Sequence, residues 1–203
     1  MKNISDLSLF IRFLKLCAAR IGQLINVASL ANECGISTLT AQSWLSILET
    51  SYVIYFLKPY HKNFNKRLVK SPKLYFYDTG LVSSLLGLKT EEQLSTHYLR
   101  GELFENMVIT EHVKQYYNEG REPNFSFWRD SNQNEVDLLI EEGANLRAIE
   151  IKSAATLKSE FFRGLKYFQS FSKIPDDALS VVFGGDANFQ LSTGKFISWR
   201  EIG

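Results

Sequence analysis

The first half of the chain changes from helical spacing of its apolar residues to short strand-like runs. Three segments have the helical pattern, namely residues 11–24, 27–34 and 38–49. Gly35 marks the turn between the last two, and Ser37 is a suitable N-cap for the third helix. Two strand-like segments follow, Val53–Leu57 and Lys73–Tyr77. Two helices joined by a glycine-containing turn, then a two-stranded ribbon, predict a winged helix-turn-helix domain.

The second half alternates between helical and strand patterns. Residues 99–117 have a helical stripe of apolar positions, and residues 157–171 have another. Strand patterns occupy residues 125–129, 135–141, 146–152 and 178–183, and residues 189–191 and 195–199 fit a terminal hairpin. The polar stretch at 89–97 is the best candidate for a domain boundary. The chain is therefore predicted to be α/β, with domains at 1–88 and 89–203 and the second ordered αβββαβ.

Composition and charge narrow the class of protein. Apolar residues make up 45% and charged residues 22%, which is typical of a globular protein. Residues 1–98 hold 11 Lys/Arg and 6 Asp/Glu (net +5), whereas residues 99–203 hold 12 and 16 (net −4). No apolar run approaches the roughly 20 residues that span a bilayer, and no signal peptide is present. With only two cysteines and no metal-ligand spacing, the expectation is a cytoplasmic protein with no membrane partner.

A basic loop lies between the two strand-like segments of the first half. No acid occurs between Glu49 and Asp78. The candidate phosphate contacts are Lys58, Lys62, Lys66, Arg67, Lys70 and Lys73, interspersed with Tyr60, His61 and Phe64. The predicted recognition helix, by contrast, offers Thr38, Gln42, Ser43 and Ser46 but no Arg or Lys. Both nucleic-acid contact and protein contact remain open for this unit.

Three polar residues stand in the strand patterns of the second half. Asp137 interrupts an apolar run, and Glu150 and Lys152 alternate with isoleucines, so these last two face one side of their strand. The turn at Gly143–Asn145 permits antiparallel pairing that brings Asp137 beside Glu150. Paired carboxylates on a sheet suit Mg²⁺ or Mn²⁺. The plainer alternative is a solvated strand face, and Arg129, Asp130 and Asn132 are expected to rim any site.

An acid followed about a dozen residues later by E-x-K resembles the PD-(D/E)xK nuclease superfamily. The resemblance implies a restriction-endonuclease-like core. It also implies that Asp137, Glu150 and the carbonyl of Ile151 hold a metal ion while Lys152 positions the attacking water. An additional acid from the preceding helix is implied as well, with Glu105 the best match and Glu102 second. One departure is that the Q-x-x-x-Y motif of RecB-like members is absent after E-x-K.

The combination of both halves resembles the C-terminal region of a bacterial and archaeal group of AAA-type P-loop ATPases. The segments that carry it are Leu74–Leu81, Arg100–Asn106, Asn134–Ile140 and Ala148–Ser153. No G-x-x-x-x-G-K-[ST] occurs, so no ATPase activity is expected here, and ATP would bind only a missing N-terminal domain. The resemblance implies a fragment or a shortened gene product that works with the ATPase domain on DNA or RNA. Three functions are in competition: a metal-dependent nuclease, a non-catalytic module that binds nucleic acid or protein, and a transcription regulator, which the acidic second half and the recognition helix without Lys or Arg disfavour.

Overall fold

The computed structural model describes residues 7–60, 62 and 68–202. It divides into two compact units, each built from two stretches of chain. Unit 1 comprises residues 1–56 and 71–106, and unit 2 comprises residues 57–70 and 107–203. Unit 1 therefore extends past the predicted boundary at residue 88 and takes in the start of the long helix α6. Among the described residues, no helix is both long enough and apolar enough to cross a membrane.

Three short helices open unit 1. They are α1 (Leu7–Ala18), α2 (Val27–Cys34) and α3 (Thr38–Thr50). The Asn26 side chain caps α2 by accepting from the Ser29 amide at 3.0 Å, and Ser37 caps α3 by accepting from the Thr40 amide at 3.0 Å. Gly35 ends α2 with a φ of 76°, a conformation that glycine adopts without strain. The predicted turn and N-cap between α2 and α3 are confirmed.

The prediction for the first helix is wrong at both ends. The helix in the structure begins at Leu7 and ends at Ala18, whereas the apolar pattern predicted residues 11–24. The later residues leave the helix because Ile21 and Leu24 form β-bridges with Leu74 and Lys73. Apolar spacing alone does not distinguish a last helical turn from a segment that pairs with a strand.

Two strands and two small helices follow in the chain. Strand β1 (Ile54–Pro59) begins in unit 1 and continues into unit 2, and β2 (Lys73–Phe76) belongs to unit 1. Helix α4 (Thr79–Leu85) is capped by the Asp78 carboxylate, which accepts from the Leu81 amide at 2.9 Å. The polar stretch predicted as a boundary contains helix α5 (Glu91–Thr96), with Thr90 as its N-cap. A run that is polar except for Leu94 can thus still form a capped helix.

Buried contacts join β2 to the first turns of α6 (Arg100–Asn118) inside unit 1. Asn106 is fully buried, and its carboxamide accepts from the Phe76 amide at 2.8 Å and donates to the Phe76 carbonyl at 3.0 Å. The unit has a continuous apolar core in which the Phe13 and Trp44 rings meet edge to face at 5.3 Å. These contacts account for the extension of unit 1 to Asn106.

Unit 2 is built on a mixed sheet. Its remaining strands are β3 (Phe125–Arg129), β4 (Glu135–Glu142), β5 (Asn145–Lys152), β6 (Leu179–Phe183), β7 (Phe189–Leu191) and β8 (Gly194–Ser198). With the end of β1, the strand order is β1-β3-β4-β5-β6-β8-β7. The β3-β4, β4-β5 and β7-β8 pairs are antiparallel, and the β1-β3, β5-β6 and β6-β8 pairs are parallel.

Helix α7 (Arg163–Ser172) follows β5 after one 3₁₀ turn, Ser159–Phe162. Its buried residues Leu165 and Phe168 join a core with Trp128, Leu139 and Val181 of the sheet. The mixed α/β class is confirmed, and the elements α6-β3-β4-β5-α7-β6 occur in the predicted order. The assignments to a winged helix and a nuclease core stay predictions.

Candidate functional site

The register of β4 on β5 determines where the three candidate residues lie. Leu138 pairs with Ile149, so the next step along this antiparallel ladder sets Asp137 opposite Glu150. Directly opposite residues point to the same face of a sheet, and Lys152 shares that face because it lies two positions beyond Glu150. The three side chains therefore project from one face at one end of the β4-β5 ladder.

The Asp137 carboxylate takes the place of a backbone acceptor in this ladder. Its Oδ2 atom accepts a hydrogen bond from the Ile151 amide at 2.8 Å, and the residue is only 8% exposed. The N–H and C=O of one strand residue point to the same side, so the Ile151 carbonyl also faces β4. The Lys152 carbonyl faces the other way and accepts from the Gly184 amide at 3.1 Å. The Asp137 carboxylate and the Ile151 carbonyl, two of the predicted oxygen donors, thus lie at the same point of the ladder.

Glu150 and Lys152 form an ion pair beside Asp137. Lys152 Nζ lies 2.5 Å from Glu150 Oε1, and the side chains are 36% and 12% exposed. Partial burial strengthens such a pair relative to one in open water. The ammonium is held at the wall of a cleft rather than extended into solvent.

The cleft has a volume of about 490 Å³. Besides Glu150 and Lys152, its lining comprises Gln133, Asn134, Glu135, Glu160, Phe161, Arg163 and Gly164. Asp137 lies behind this wall and does not line the cleft. The volume is in the range that accommodates a ligand the size of a nucleotide.

A tight turn before β4 forms one side of the cleft. Asp130 Oδ1 accepts from the amides of Asn132 and Asn134 at 2.9 and 3.0 Å, and Oδ2 accepts from the Asn134 side chain at 3.0 Å. Burial raises the pKa of Asp130, but the hydrogen bonds from Asn134 and Asn132 outweigh it, so the pKa lies below its ordinary value. Asp130 is 3% exposed, so the expectation that it rims the site is wrong: it holds the turn. Gln133, at a φ of 66°, takes the strained position in that turn.

The start of α7 forms the opposite side. A Cβ atom on Gly164 would lie 2.5 Å from the Glu135 carbonyl oxygen and 3.5 Å from Glu150 Oε2. Only glycine permits so close an approach of a helix to a strand backbone. Arg163, the preceding residue, is exposed and lines the same cleft.

Glu105 lies on α6 in unit 1, where its carboxylate has buried partners. Its Oε1 accepts from Lys73 Nζ at 2.9 Å and also from the Tyr75 hydroxyl. These contacts give Glu105 a role within its own unit. Its implied role as an additional acid of the site, and that of Glu102, stay predictions.

The basic loop differs from residue to residue. Lys58, Lys62 and Lys70 are exposed, and Lys62 Nζ lies 3.9 Å from Glu141 Oε1. The expectation that Lys73 is exposed is wrong, because β2 is buried along its length and Lys73 is 3% exposed beside Glu105. Lys66 and Arg67 lie outside the described residues, as do His61 and Phe64. Nucleic-acid binding by the loop stays a prediction.

Few protein groups near Asp137 and Glu150 could serve as ligands of a metal ion. Within residues 7–60, 62 and 68–202, no group of three or more His, Cys, Asp or Glu side chains is arranged to hold a metal ion. Asp137, Glu150 and the Ile151 carbonyl nevertheless supply oxygen atoms, which Mg²⁺ prefers. Mg²⁺ commonly keeps several waters and takes only one or two carboxylates from the protein. The donor set therefore fits Mg²⁺ better than a cation that needs a full protein cage.

Sequence reasoning missed most of the cleft wall. It did not include three lining residues, Glu135, Arg163 and Gly164. Glu135 could have been found, because it lies two positions before Asp137 on β4 and residues two apart on a strand share a face. No comparable signal places Arg163 and Gly164, because their position depends on how α7 packs on the sheet.

Comparison with known proteins links both parts of the chain to families. The sequence profile described as "Domain of unknown function (DUF4143)" matches residues 100–202, and that described as "Domain of unknown function (DUF8612)" matches residues 1–92. Similar proteins include "Uncharacterized protein Rv2008c" of Mycobacterium tuberculosis and "Uncharacterized protein Mb2031c" of Mycobacterium bovis. Each is 29% identical over 172 residues, which cover 84% of this chain and 37% of the relative. The chain thus spans about 37% of the length of these relatives.

Proposed function

The chain belongs to the family of the domain of unknown function DUF4143, a domain found in AAA-ATPase-associated proteins, and we propose that its second unit carries a metal-dependent nuclease site. The substrate class is nucleic acid, with DNA favoured over RNA. The restriction-endonuclease-like core that the PD-(D/E)xK pattern implies is part of this proposal.

The observation that carries the proposal is the grouping of Asp137, Glu150 and Lys152 on one face of the sheet. One step beyond the Leu138–Ile149 pair, the continued β4-β5 ladder sets the two carboxylates opposite each other, and Lys152 Nζ lies 2.5 Å from Glu150 Oε1 within the cleft wall. A solvated strand face, the plainer alternative, does not account for the burial of Asp137 at 8% exposure. Nor does it account for a cleft lined by Glu150 and Lys152.

Asp137, Glu150 and the carbonyl of Ile151 are the groups that would hold Mg²⁺ or Mn²⁺. When bound, such an ion acts as a Lewis acid on a phosphoryl oxygen and lowers the pKa of a bound water. The Ile151 amide fixes the orientation of the Asp137 carboxylate through the 2.8 Å hydrogen bond. Preorganised ligands of this kind lose little conformational freedom when a cation binds.

Lys152 is the group that would contact the reacting phosphate. Its ammonium is held at the cleft wall by Glu150, so its charge is available where negative charge develops on the phosphoryl oxygens. A lysine in this position also orients an attacking water by hydrogen bonding. Because it carries no lone pair when protonated, Lys152 is not a metal ligand.

Unit 1 would deliver the substrate or a partner to this site. We assign it as a winged helix-turn-helix, from helices α2 and α3 with the Gly35 turn and the ribbon strands that follow. Exposed Lys58, Lys62 and Lys70, in the part of the basic loop that belongs to unit 2, support contact with nucleic-acid phosphates there. The occurrence of this family's domain in AAA-ATPase-associated proteins supports a P-loop ATPase domain as the working partner, the one that would bind ATP.

The deciding experiment measures metal binding and cleavage on the same protein. Calorimetric titration with Mn²⁺ should show one site, and labelled DNA and RNA should be cleaved with Mg²⁺ or Mn²⁺ but not with Ca²⁺. Lys152→Ala should abolish cleavage and keep metal binding, whereas Glu150→Ala should remove both. Asp186→Asn, which removes an exposed carboxylate outside the cleft, is the matched control. Absence of Mn²⁺ binding, or equal cleavage by all variants, would contradict the proposal.

The second candidate function is a non-catalytic module that binds protein. The exposed side of α3 has no Lys or Arg, and Leu39 on this helix is 78% exposed. An exposed apolar side chain with few charges around it is typical of the centre of a protein interface. If the full-length ATPase with nucleotide, metal and a panel of DNA and RNA shows no cleavage, this module is the better interpretation.

A further inference from the structure

Most charged side chains around the cleft have a partner of opposite charge within the protein. Each of the three glutamates on its wall has a cation beside it. The pairs are Glu135–Arg129 at 3.3 Å, Glu150–Lys152 at 2.5 Å and Glu160–Lys158 at 3.7 Å. Charge on the acidic part of the wall is therefore largely compensated from within the protein.

Arg163 is the exception. It lines the cleft and is exposed, and no ion pair or hydrogen bond to its guanidinium occurs within the described part of the chain. Arg163 is thus a cation of the cleft lining that no acid of the described residues neutralises through an ion pair. Its ligand should carry negative charge and reach the region between Arg163 and Lys152.

The position of Arg163 is fixed by its neighbour. Gly164 packs directly on β4, with its Cβ position 2.5 Å from the Glu135 carbonyl oxygen and 3.5 Å from Glu150 Oε2. This contact allows little movement of the first turn of α7 over the acids. The backbone of Arg163 is therefore held next to the residue that contacts Glu135 and Glu150, whereas its side chain can move.

We propose that Arg163 binds a backbone phosphate of nucleic acid in this cleft, next to the phosphate that faces Lys152. The inference rests on the proposed function of the same site and adds a binding residue to it. A guanidinium offers paired N–H donors that match two oxygens of a phosphodiester, which a lysine ammonium does not. The cleft volume of about 490 Å³ accommodates the nucleotide between two such phosphates.

The test measures binding of a fluorescently labelled duplex by the 203-residue chain in Ca²⁺ over a series of salt concentrations. Arg163→Gln should weaken binding on the order of tenfold and reduce the slope of log K against log salt by about 0.9, the value of one lost phosphate contact. Arg163→Lys should keep the wild-type slope at intermediate affinity. Lys195→Gln removes an exposed cation outside the cleft and should change neither quantity.

Three results would overturn the proposal: no binding by the wild type, wild-type affinity and slope in Arg163→Gln, or an Arg163→Lys variant as weak as Arg163→Gln. Failure here is distinguishable from failure of the nuclease. If Glu150→Ala abolishes cleavage while Arg163→Gln binds normally, the nuclease stands and the phosphate contact falls. If no metal binds but Arg163→Gln still loses affinity and slope, the contact stands without catalysis.

Discussion

Replacing Gly164 by alanine tests how closely α7 approaches the sheet at the candidate site. Alanine within a helix is favoured over glycine by up to about 1 kcal/mol, so helix propensity alone predicts a more stable protein. The added Cβ, however, would lie 2.5 Å from the Glu135 carbonyl oxygen, and ordinary van der Waals contacts begin at 3.4 Å. The atom it meets belongs to the backbone of β4, which cannot rotate away as a side chain can.

The clash should outweigh the gain in propensity. Overpacking of this kind costs about 1–3 kcal/mol, and backbone overlap belongs at the upper end, so a net loss of about 2 kcal/mol is expected. For a chain of this size the loss corresponds to a melting temperature lower by about 4–8 °C, measurable by calorimetry or circular dichroism.

Gly101 provides a matched control for this substitution. It too follows an arginine in the first turn of a helix, and its Cβ position meets no atom within 4 Å. Gly101→Ala should therefore raise the melting temperature slightly, since only propensity changes. If Gly164→Ala is as stable as Gly101→Ala, or more stable than the wild type, the close approach of α7 to β4 is wrong, and so is the shape of the cleft.

Three further predictions concern buried polar groups. Burial lowers the pKa of His112 from 6.5 to about 4, so the stability that this side chain contributes is full above pH 6.5 and is lost as the pH falls through 4. In urea unfolding, His112 should account for about 2–3 kcal/mol less stability at pH 4.5 than at pH 7. His112→Gln should remove this part of the pH dependence of the unfolding free energy. Asn106→Leu should cost about 2–4 kcal/mol in urea unfolding, because the amide and carbonyl of Phe76 lose their partner in the core, and a loss below about 0.5 kcal/mol would refute this. Lys73→Met should cost about 3–5 kcal/mol by removing a buried ammonium from the Glu105 carboxylate; a double variant that adds Glu105→Gln should recover part of the loss, and strictly additive effects would contradict the pairing.

Local features of the fold were predictable from the sequence because they depend on near neighbours. Ser37 caps α3 and Gly35 ends α2 through contacts within a few residues. The alternation that places Glu150 and Lys152 on one face follows from strand geometry alone. The antiparallel pairing of β4 with β5 needed only a short turn between adjacent strands.

Features that depend on distant parts of the chain were not predictable in the same way. Lys73 looked like one more cation of a basic loop, yet its strand is buried and its partner lies 32 residues later, at Glu105. Asp130 was expected at the rim of the site, but its carboxylate accepts hydrogen bonds from the Asn132 and Asn134 amides in the turn before β4. Arg163 lines the cleft because of how α7 packs on the sheet, and the spacing of residues in the sequence does not predict that packing.

The hydrogen bond from the Ile151 amide to Asp137 has a consequence for how sequences of this kind record the loss of an activity. A carboxylate that also completes a backbone ladder is under selection for folding as well as for chemistry, since its removal leaves a buried amide donor unsatisfied. A lineage that no longer used the site would therefore tend to keep an acceptor at position 137 long after its chemistry had ceased. An aspartate at position 137 is therefore weak evidence that a related protein is an active enzyme. An asparagine there preserves the hydrogen-bond acceptor without the charge, so it is the replacement that would indicate a site that has lost its activity.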